Sequence, residues 1–207
     1  LSLLDTLEDA RERAGSAEPE TVVPRVAFEM ANRINAATPI TPSALITFAL
    51  LDNEGRALTL GELLDVLDPL LAYVRERQLP LTSDIDLARP DGLRSALRTL
   101  QAEGVVEVYD GGLEPVFAIA PDRFHEAAFY RNTLAHWFVY RAITENSLLA
   151  AADAGGDVVD TTWQVALELR DLLKFEFFFP RKREFAEDIR REVDLARPGW
   201  AAEGFDR

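Results

Sequence analysis

Apolar residues recur every three or four positions along most of this chain, which predicts a mainly α-helical protein. The first strong pattern predicts a helix from Pro24, with one face formed by Val26, Ala27, Met30 and Ile34. A second helix, 43–51, is apolar nearly all round, so we expect it to be buried. Thr41 can cap this helix, because Pro42 then takes the first helical position, where a missing N–H costs nothing.

Two further helices are predicted before the pattern changes. Thr59 is the expected N-cap of a helix whose leucine-rich face extends to Val74, and Pro69 within that helix predicts a kink or a split. Another helix begins at Pro90. It is expected to end at Gly104, because glycine readily adopts the left-handed conformation that closes a helix.

The next two segments are predicted to be β-strands. Two short runs, 105–109 and 115–119, flank an Asp-Gly-Gly turn at 110–112, which predicts a β-hairpin. Three helices followed by a hairpin, within 43–120, is the element order of a winged-helix module. Long helical patterns then return after Pro121. The expected fold class is therefore mainly α with a small β-hairpin, in which a winged-helix-like segment is followed by long helices.

These patterns divide the chain into three regions. We expect 1–21 to form an N-terminal connecting segment, 22–120 a helical, winged-helix-like region, and 121–207 a C-terminal helical region packed on it. The chain starts with Leu1 and its only methionine is Met30, so we expect a fragment of a longer polypeptide.

The charge of the chain disfavours one class of function, the binding of nucleic acid. With 22 basic and 36 acidic residues the net charge is −14, and 80–120 carries three arginines against seven acidic residues. Because an acidic surface repels phosphate backbones, DNA binding is disfavoured for the winged-helix-like region, and no nucleic acid partner is expected. The chain has no cysteine and two histidines, so we expect neither a metal site nor a cofactor. No apolar run reaches the ~18–20 residues that cross a bilayer, so we expect any membrane contact to be at the surface.

Three segments carry a resemblance to one enzyme family. They are RINAATPITPSAL at 33–45, YRNTLAHWF at 130–138 and LRDLLKFEFF at 169–178. In this order and at these separations they resemble the part of bacterial membrane glycerol-3-phosphate 1-O-acyltransferases that follows the catalytic core. The resemblance covers about 22–192.

The resemblance implies a role in phospholipid synthesis. The family transfers an acyl group from acyl-carrier protein or acyl-coenzyme A to the 1-hydroxyl of glycerol 3-phosphate, at the cytoplasmic face of the cell membrane. Its catalytic motif is a histidine followed five positions later by an aspartate. Here Tyr130 follows His125 and Arg141 follows His136 at that spacing. We therefore expect a non-catalytic C-terminal part, peripheral to the membrane and inactive alone, whose partner is the upstream catalytic half of the same polypeptide.

Polar residues within the second segment are the first candidates for a site. Asn132, His136 and Tyr140 are four positions apart and so lie on one helical stripe, beside Tyr130 and Arg131. Tyr130, Arg131, Asn132 and His136 would dock on the catalytic half or line a substrate pocket. A buried hydrogen-bond network that holds helices in register explains the same pattern.

The third segment supplies the remaining candidates. Lys174, near Glu176, would help the docking or bind an acyl-donor phosphate in the full enzyme, unless it only forms an ion pair. Five basic and two acidic residues give 170–183 a net charge of +3 on an acidic chain. This favours contact with a membrane surface or an acyl chain through rings and cations, although phenylalanine more often fills a core. The candidates for that contact are Phe177, Phe178, Phe179, Arg181, Lys182 and Arg183.

One alternative to the acyltransferase interpretation stays open. An acidic winged-helix-like module without catalytic activity could instead recruit a protein partner through a face of its own. The two hypotheses predict different surfaces. A region that is part of a larger enzyme would expose an apolar face where the catalytic half packs on it.

Overall fold

The computed structural model of this protein describes residue 8, 19–53, 56–82, 86–154 and 157–196, with only the backbone described for 19–22. Seven helices and three strands are formed by these residues, and none of these helices is both long and apolar enough to cross a membrane. The helices are α1 (Pro19–Ala37), α2 (Pro42–Asp52), α3 (Leu60–Glu76), α4 (Pro90–Ala102), α5 (Phe124–Ala154), α6 (Val158–Leu173) and α7 (Lys182–Ala196). The strands are β1 (Leu58–Thr59), β2 (Val106–Tyr109) and β3 (Val116–Ile119). The expected fold class, mainly α with a small β-hairpin, is confirmed.

The described residues form two compact units, each with its own hydrophobic core. The central unit is Thr38–Phe138, and the terminal unit combines the described residues up to Ala37 with those from Val139 onward. The division predicted from the sequence, 1–21, 22–120 and 121–207, stays a prediction. Its connecting segment lies outside the described residues, except for residue 8 and for 19–21, which begin α1.

Helix α2 forms the middle of the central unit, as its apolar sequence predicts. The Thr41 hydroxyl accepts a hydrogen bond from the Ala44 N–H at 3.1 Å, and Pro42 occupies the first turn. Its one buried polar side chain, Thr47, donates to the Ser43 carbonyl oxygen at 2.8 Å, so its burial leaves no hydroxyl unsatisfied. The helix packs against fully buried leucines of its neighbours, which are Leu63, Leu67, Leu93, Leu97 and Leu100.

The sheet has one more strand than the hairpin that the sequence pattern predicts. Strands β2 and β3 pair antiparallel with Val106 opposite Ile119, as predicted, and β1 adds to the free edge of β3. The sheet order is β1-β3-β2. The strand β1 has only two residues, too few for an alternating pattern to be visible in the sequence.

Two helix ends follow their predicted signals. Thr59 and Glu62 form a reciprocal capping box at the start of α3, in which the Thr59 hydroxyl accepts from the Glu62 N–H at 3.2 Å and Glu62 Oε2 accepts from the Thr59 N–H at 2.8 Å. After α4, Gly104 has a φ of +74°, and the Val105 N–H bonds back to the Leu100 carbonyl oxygen at 2.9 Å. The chain can therefore turn directly from α4 into β2.

The terminal unit is held by an aromatic and aliphatic core. It contains Val139, Ile143, Ala166, Phe179, Phe185, Ile189 and Val193, contributed by α5, α6, α7 and the segment before α7. Tyr140 packs its ring against Phe179 and Phe185, with centroids 5.9 and 5.7 Å apart. The ring edge of Phe178 meets Phe28 of α1 at 5.7 Å. Aromatic contacts therefore join α1, α5 and α7 to the segment between α6 and α7 within this unit.

Two predictions about helix bounds are wrong. Helix α1 begins at Pro19, which takes the favoured first position, and Pro24 lies inside it at the cost of one backbone hydrogen bond. Of the kink or split predicted at Pro69, the split is wrong, because Pro69 lies within one continuous helix α3. Among the four residues predicted to share a face of α1, Val26 is buried and the other three are exposed.

Candidate functional site

Helix α5 carries the first group of predicted site residues, and their environments differ. Asn132 is exposed and accepts two hydrogen bonds from the guanidinium of Arg131, at 3.0 and 3.2 Å. The two side chains therefore form a surface pair. Neither belongs to the buried hydrogen-bond network that was the alternative explanation for the polar stripe.

Tyr130 lies at the edge of the central unit's core. Its ring packs against the core residues, and its hydroxyl donates to Glu103 Oε2 at 3.3 Å. Burial, followed by the negative charge of Glu103, raises the pKa of Tyr130 above its ordinary value of 10.0. The phenol therefore stays protonated at neutral pH and acts as a donor that links α5 to the end of α4.

A pocket of about 430 Å³ opens beside this tyrosine at the start of α5. Its lining combines aromatic rings with both signs of charge, from Glu103, Val105, Arg123, His125, Glu126, Phe129 and Tyr130. Arg123 contacts Glu126 at 2.5 Å, so most of its positive charge is compensated within the pocket. The lining therefore offers no concentrated charge for a phosphate.

His136 is half-buried and lies on its neighbour Trp137, with ring centroids 4.8 Å apart. Trp137 in turn donates its indole N–H to the Thr38 carbonyl oxygen at 3.0 Å, and its own carbonyl oxygen accepts from the Tyr73 hydroxyl at 3.3 Å. Phe138 stacks on Phe48 at 5.6 Å. The second family-like segment thereby meets the first, because Thr38 lies in 33–45 and Trp137 in 130–138.

The aromatic run of the third segment is divided between core and surface. Phe179 is buried in the terminal unit, and Phe177 packs partly against the same core. Phe175 is 88 % exposed and Phe178 is 49 % exposed. For Phe179 the structure favours the core alternative over the predicted membrane or acyl contact, because its ring is enclosed by other aromatic rings.

The basic residues near these rings are mostly on the surface. The ammonium group of Lys174 lies over the Phe175 ring, 5.3 Å from its centroid, and Glu176 nearby is exposed. Lys182 lies 3.9 Å from Asp171, and Arg183 lies 3.4 Å from Glu187 one helical turn later. Arg181 is exposed. Exposed apolar rings and cations thus adjoin one another at the turn between α6 and α7.

Sequence reasoning missed the residue that organises this turn, Arg170. Its side chain is only 13 % exposed and donates through Nη2 to the Pro180 carbonyl oxygen at 2.8 Å. Its guanidinium also lies over Phe179 and Phe185, 5.9 and 5.5 Å from their centroids. Its position between Leu169 and Asp171 gave no sign of this role, because apolar periodicity does not identify an arginine that packs on rings.

Taken together, these residues form surfaces and packing contacts. The described part of the chain also contains no group of three or more metal-ligating side chains. What the arrangement offers chemically is recognition: an exposed polar pair on α5, a mixed-charge pocket at its start, and an aromatic, basic surface at the turn before α7.

Comparison with known proteins gives a consistent picture. The family model described as the glycerol-3-phosphate acyltransferase C-terminal region matches residues 1–202. Relatives from Mycobacterium bovis and from two strains of Mycobacterium tuberculosis, each named "Putative acyltransferase plsB1", are 40% identical over 201 residues. The matched stretch covers 92% of this chain and 32% of each relative, so the chain spans about a third of the length of these curated relatives.

Proposed function

This chain belongs to the family of glycerol-3-phosphate acyltransferase C-terminal regions, and from that premise we propose that it is the non-catalytic part of such an enzyme. In this proposal an upstream catalytic half transfers an acyl group to the 1-hydroxyl of glycerol 3-phosphate. The present chain packs on that half and supports it. The acyl donor, acyl-carrier protein or acyl-coenzyme A, binds to the complete enzyme.

One observation carries this proposal. The family model extends over residues 1–202, while the matched relatives continue for about twice that length beyond the shared region. The missing catalytic motif fits the same division of labour, because neither His125 nor His136 has an aspartate five positions later. We therefore expect the chain alone to have no acyltransferase activity.

The described surfaces support a packing role. The Arg131–Asn132 pair is exposed on α5, although the same helix builds the core of the central unit a few residues later through Leu134 and Phe138. We propose that Tyr130, Arg131, Asn132 and His136 belong to the contact with the catalytic half. A rigid helix is a suitable carrier for such a contact, because its side chains are held in register by the core.

Mixing separately produced parts tests the proposal. Glycerol-3-phosphate acylation is measured for this chain, for the upstream half, and for the two together, after circular dichroism shows that each part is folded. We expect no activity from the chain alone and a marked increase when it is added to the upstream half. Activity of the chain alone, or no effect in the mixture, would contradict the proposal.

We also propose that the aromatic, basic surface meets a membrane at its cytoplasmic face. Its residues are Phe175, Phe178, Lys174, Arg181, Lys182 and Arg183, which adjoin the turn between α6 and α7. Exposed rings favour the lipid boundary, and cations favour anionic headgroups. Phe177 and Phe179 support this surface from within, because they pack in the core beneath it.

A second function is favoured by the element order of the central unit. Helix, strand, two helices and hairpin, with the sheet order β1-β3-β2, fit the winged-helix-like arrangement expected from the sequence. The acidic balance of 80–120 disfavours nucleic acid, so such a module would bind a protein. A tight complex with a partner other than the upstream half, together with no effect on acylation, would favour this alternative.

A further inference from the structure

The pocket at the start of α5 lies within the central unit, between the end of α4 and the first turns of α5. Its volume of about 430 Å³ is at the small end of the range of about 300–1,000 Å³ that is typical of small-molecule sites. One small molecule or one long side chain can therefore enter it, whereas a folded surface cannot. The chemistry of its lining indicates which kind of group it binds.

One carboxylate of the lining can bind a further donor. Glu103, directly after α4, is exposed, and the Tyr130 hydroxyl donates to its Oε2 at 3.3 Å. An ionised carboxylate has about four sites at which it accepts hydrogen bonds. Among the residues that the structure describes, no basic side chain lies within ion-pair distance of Glu103. Most of its acceptor sites are therefore open to a ligand.

The other charges of the lining leave the pocket negative. Arg123 and Glu126 form an ion pair at 2.5 Å, and Asp122 places a second carboxylate 4.0 Å from the same guanidinium. Arg123 also reaches the turn after α4, because a Cβ on Gly104 would lie 3.9 Å from its Nη2. The lining thus holds two carboxylates against one guanidinium, a formal net charge of −1 with histidine counted as neutral.

The Tyr130 phenol responds to both of these carboxylates. Burial, then the charge and the hydrogen bond of Glu103, and then the charge of Glu126 raise the pKa of Tyr130 above its ordinary value of 10.0. Both carboxylates are therefore close to one hydroxyl at the wall of the pocket. A negative potential of this kind disfavours an anionic ligand and attracts a cationic one.

Two aromatic rings form a corner beside the carboxylates. The ring centroids of Phe129 and Tyr130 are 6.0 Å apart, and the ring planes meet at 65°. Phe129 is 68 % exposed, although it is a large apolar side chain within a regular helix. A ring face attracts cations, and a planar guanidinium can stack on it while its N–H groups reach a carboxylate. An ammonium group is more strongly hydrated and cannot stack, so the pocket favours a guanidinium.

We infer that this pocket is a binding site for a guanidinium group on a flexible chain, with Glu103 as the acceptor and the rings of Phe129 and Tyr130 as the stacking surface. The inference does not rest on the proposed function, because the pocket would bind the same group whichever molecule carries it. Two sources share this chemistry, a free guanidinium compound and an arginine side chain from the catalytic part of the same polypeptide.

Titration with N-acetyl-arginine methylamide, followed by NMR of the isotope-labelled chain, tests the site. We expect a dissociation constant on the order of 1 mM, the scale of one charged contact and one ring contact. The largest chemical-shift changes should lie at 103–105 and 129–130. The citrulline analogue is the control ligand, because it has the same shape without the charge, and it should bind at least about tenfold more weakly. Equal affinity for both compounds, or no saturable change, would overturn the inference.

Matched substitutions separate the site from the general acidity of the chain. Glu103→Gln keeps the shape and removes the charge, and we expect it to weaken binding at least about tenfold. Phe129→Leu keeps the ionic contact and removes the ring, and it should weaken binding severalfold. Glu114→Gln removes the same charge from an exposed residue outside the lining, and affinity should stay within about twofold. If Glu114→Gln weakens binding as much as Glu103→Gln does, the net charge of −14 attracts the probe and the proposed site is wrong.

The same probe identifies the source of the guanidinium. Saturation-transfer NMR, which observes the ligand, is applied to the full-length polypeptide. If a free compound is the natural ligand, the full-length polypeptide binds the probe as well as this chain does. If an arginine of the catalytic part fills the pocket, the probe binds this chain but not the full-length polypeptide. Either result supports the site, whereas failure of the probe to bind this chain overturns it and leaves the acylation test of the proposed function unaffected.

Discussion

At the scale of single residues, the candidates divide into those that pack and those that face outward. Phe179 is enclosed by rings in the terminal unit and Trp137 is held by hydrogen bonds in the central unit, whereas Asn132 and Phe175 are exposed. The sequence could not separate these two roles. Buried and exposed positions are occupied by the same residue types, and burial depends on contacts with residues far away in the chain.

Replacing Arg170 should destabilise the terminal unit. Arg170→Ala removes the hydrogen bond to the Pro180 carbonyl oxygen and the packing on Phe179 and Phe185, and we expect a loss of about 2 kcal/mol in the free energy of unfolding. Arg183→Ala is the control, because that side chain is 91 % exposed and its surface ion pair contributes about 0.5 kcal/mol or less. Urea denaturation of both variants measures the difference. Equal effects would mean that Arg170 does not organise the turn.

At the scale of elements, local signals predicted helix ends better than helix faces. The Thr41 and Thr59 caps and the Gly104 stop depend on residues a few positions apart, so a single sequence contains the whole interaction. The pairing of β1 with β3 depends on residues distant in the chain, and so does the burial of Val26 but not of the other apolar residues on the predicted face of α1. An apolar face indicates that something covers it, but the pattern does not say which element does so.

The capping box of α3 should give the chain a measurable pH dependence. Hydrogen bonds from Thr59 and the positive charge of Arg56 hold the pKa of Glu62 below its ordinary value of 4.5. Because the folded pKa is the lower one, the stabilisation by ionised Glu62 is complete above pH 4.5 and is lost as pH falls through the folded pKa.

Melting temperatures from neutral to acidic pH test this, with Glu62→Gln as the variant that cannot ionise. We expect the gap between the native chain and Glu62→Gln to be widest at neutral pH and to close in acid. Thr59→Ala should lower the free energy of unfolding by about 1 kcal/mol at neutral pH, through loss of the hydroxyl cap. A gap that does not change with pH would show that Glu62 acts without its charge.

Replacing Gly104, whose backbone is left-handed, by a residue with a Cβ should lower the free energy of unfolding. Gly104→Ala places a Cβ at a φ of +74°, where it meets no atom nearer than 3.9 Å, so the cost is conformational and about 1 kcal/mol. Gly111 is the matched control in the hairpin turn, because an added Cβ meets nothing within 4 Å there. Thermal unfolding of both alanine variants compares them. A Gly111→Ala effect as large as that of Gly104→Ala would mean that loss of flexibility, and not handedness, determines stability.

At the scale of the whole molecule, the chain combines two cores with a net charge of −14. The core of the central unit lies within Thr38–Phe138, and that of the terminal unit is built from residues after Phe138. Composition predicted a chain large enough for a core and too acidic for nucleic acid. The split into two units was not visible, because α5 continues through residue 138 without a break in its helical pattern.

Binding to lipid vesicles should reveal whether one surface overrides the charge of the whole chain. A net charge of −14 repels anionic headgroups, so any attraction must come from the local cations and rings near the turn before α7. We expect flotation with anionic vesicles but not with zwitterionic ones, and weaker flotation at high salt.

Because Phe175 is the most exposed ring of this surface, Phe175→Ser should reduce binding severalfold. The double substitution Lys182→Glu with Arg183→Glu should abolish it. Leu113→Ser is the control, because Leu113 is fully exposed in the hairpin turn and the sequence has no basic residue within 110–115. If the control lowers flotation as much as Phe175→Ser does, binding is non-specific and the proposed membrane surface is wrong.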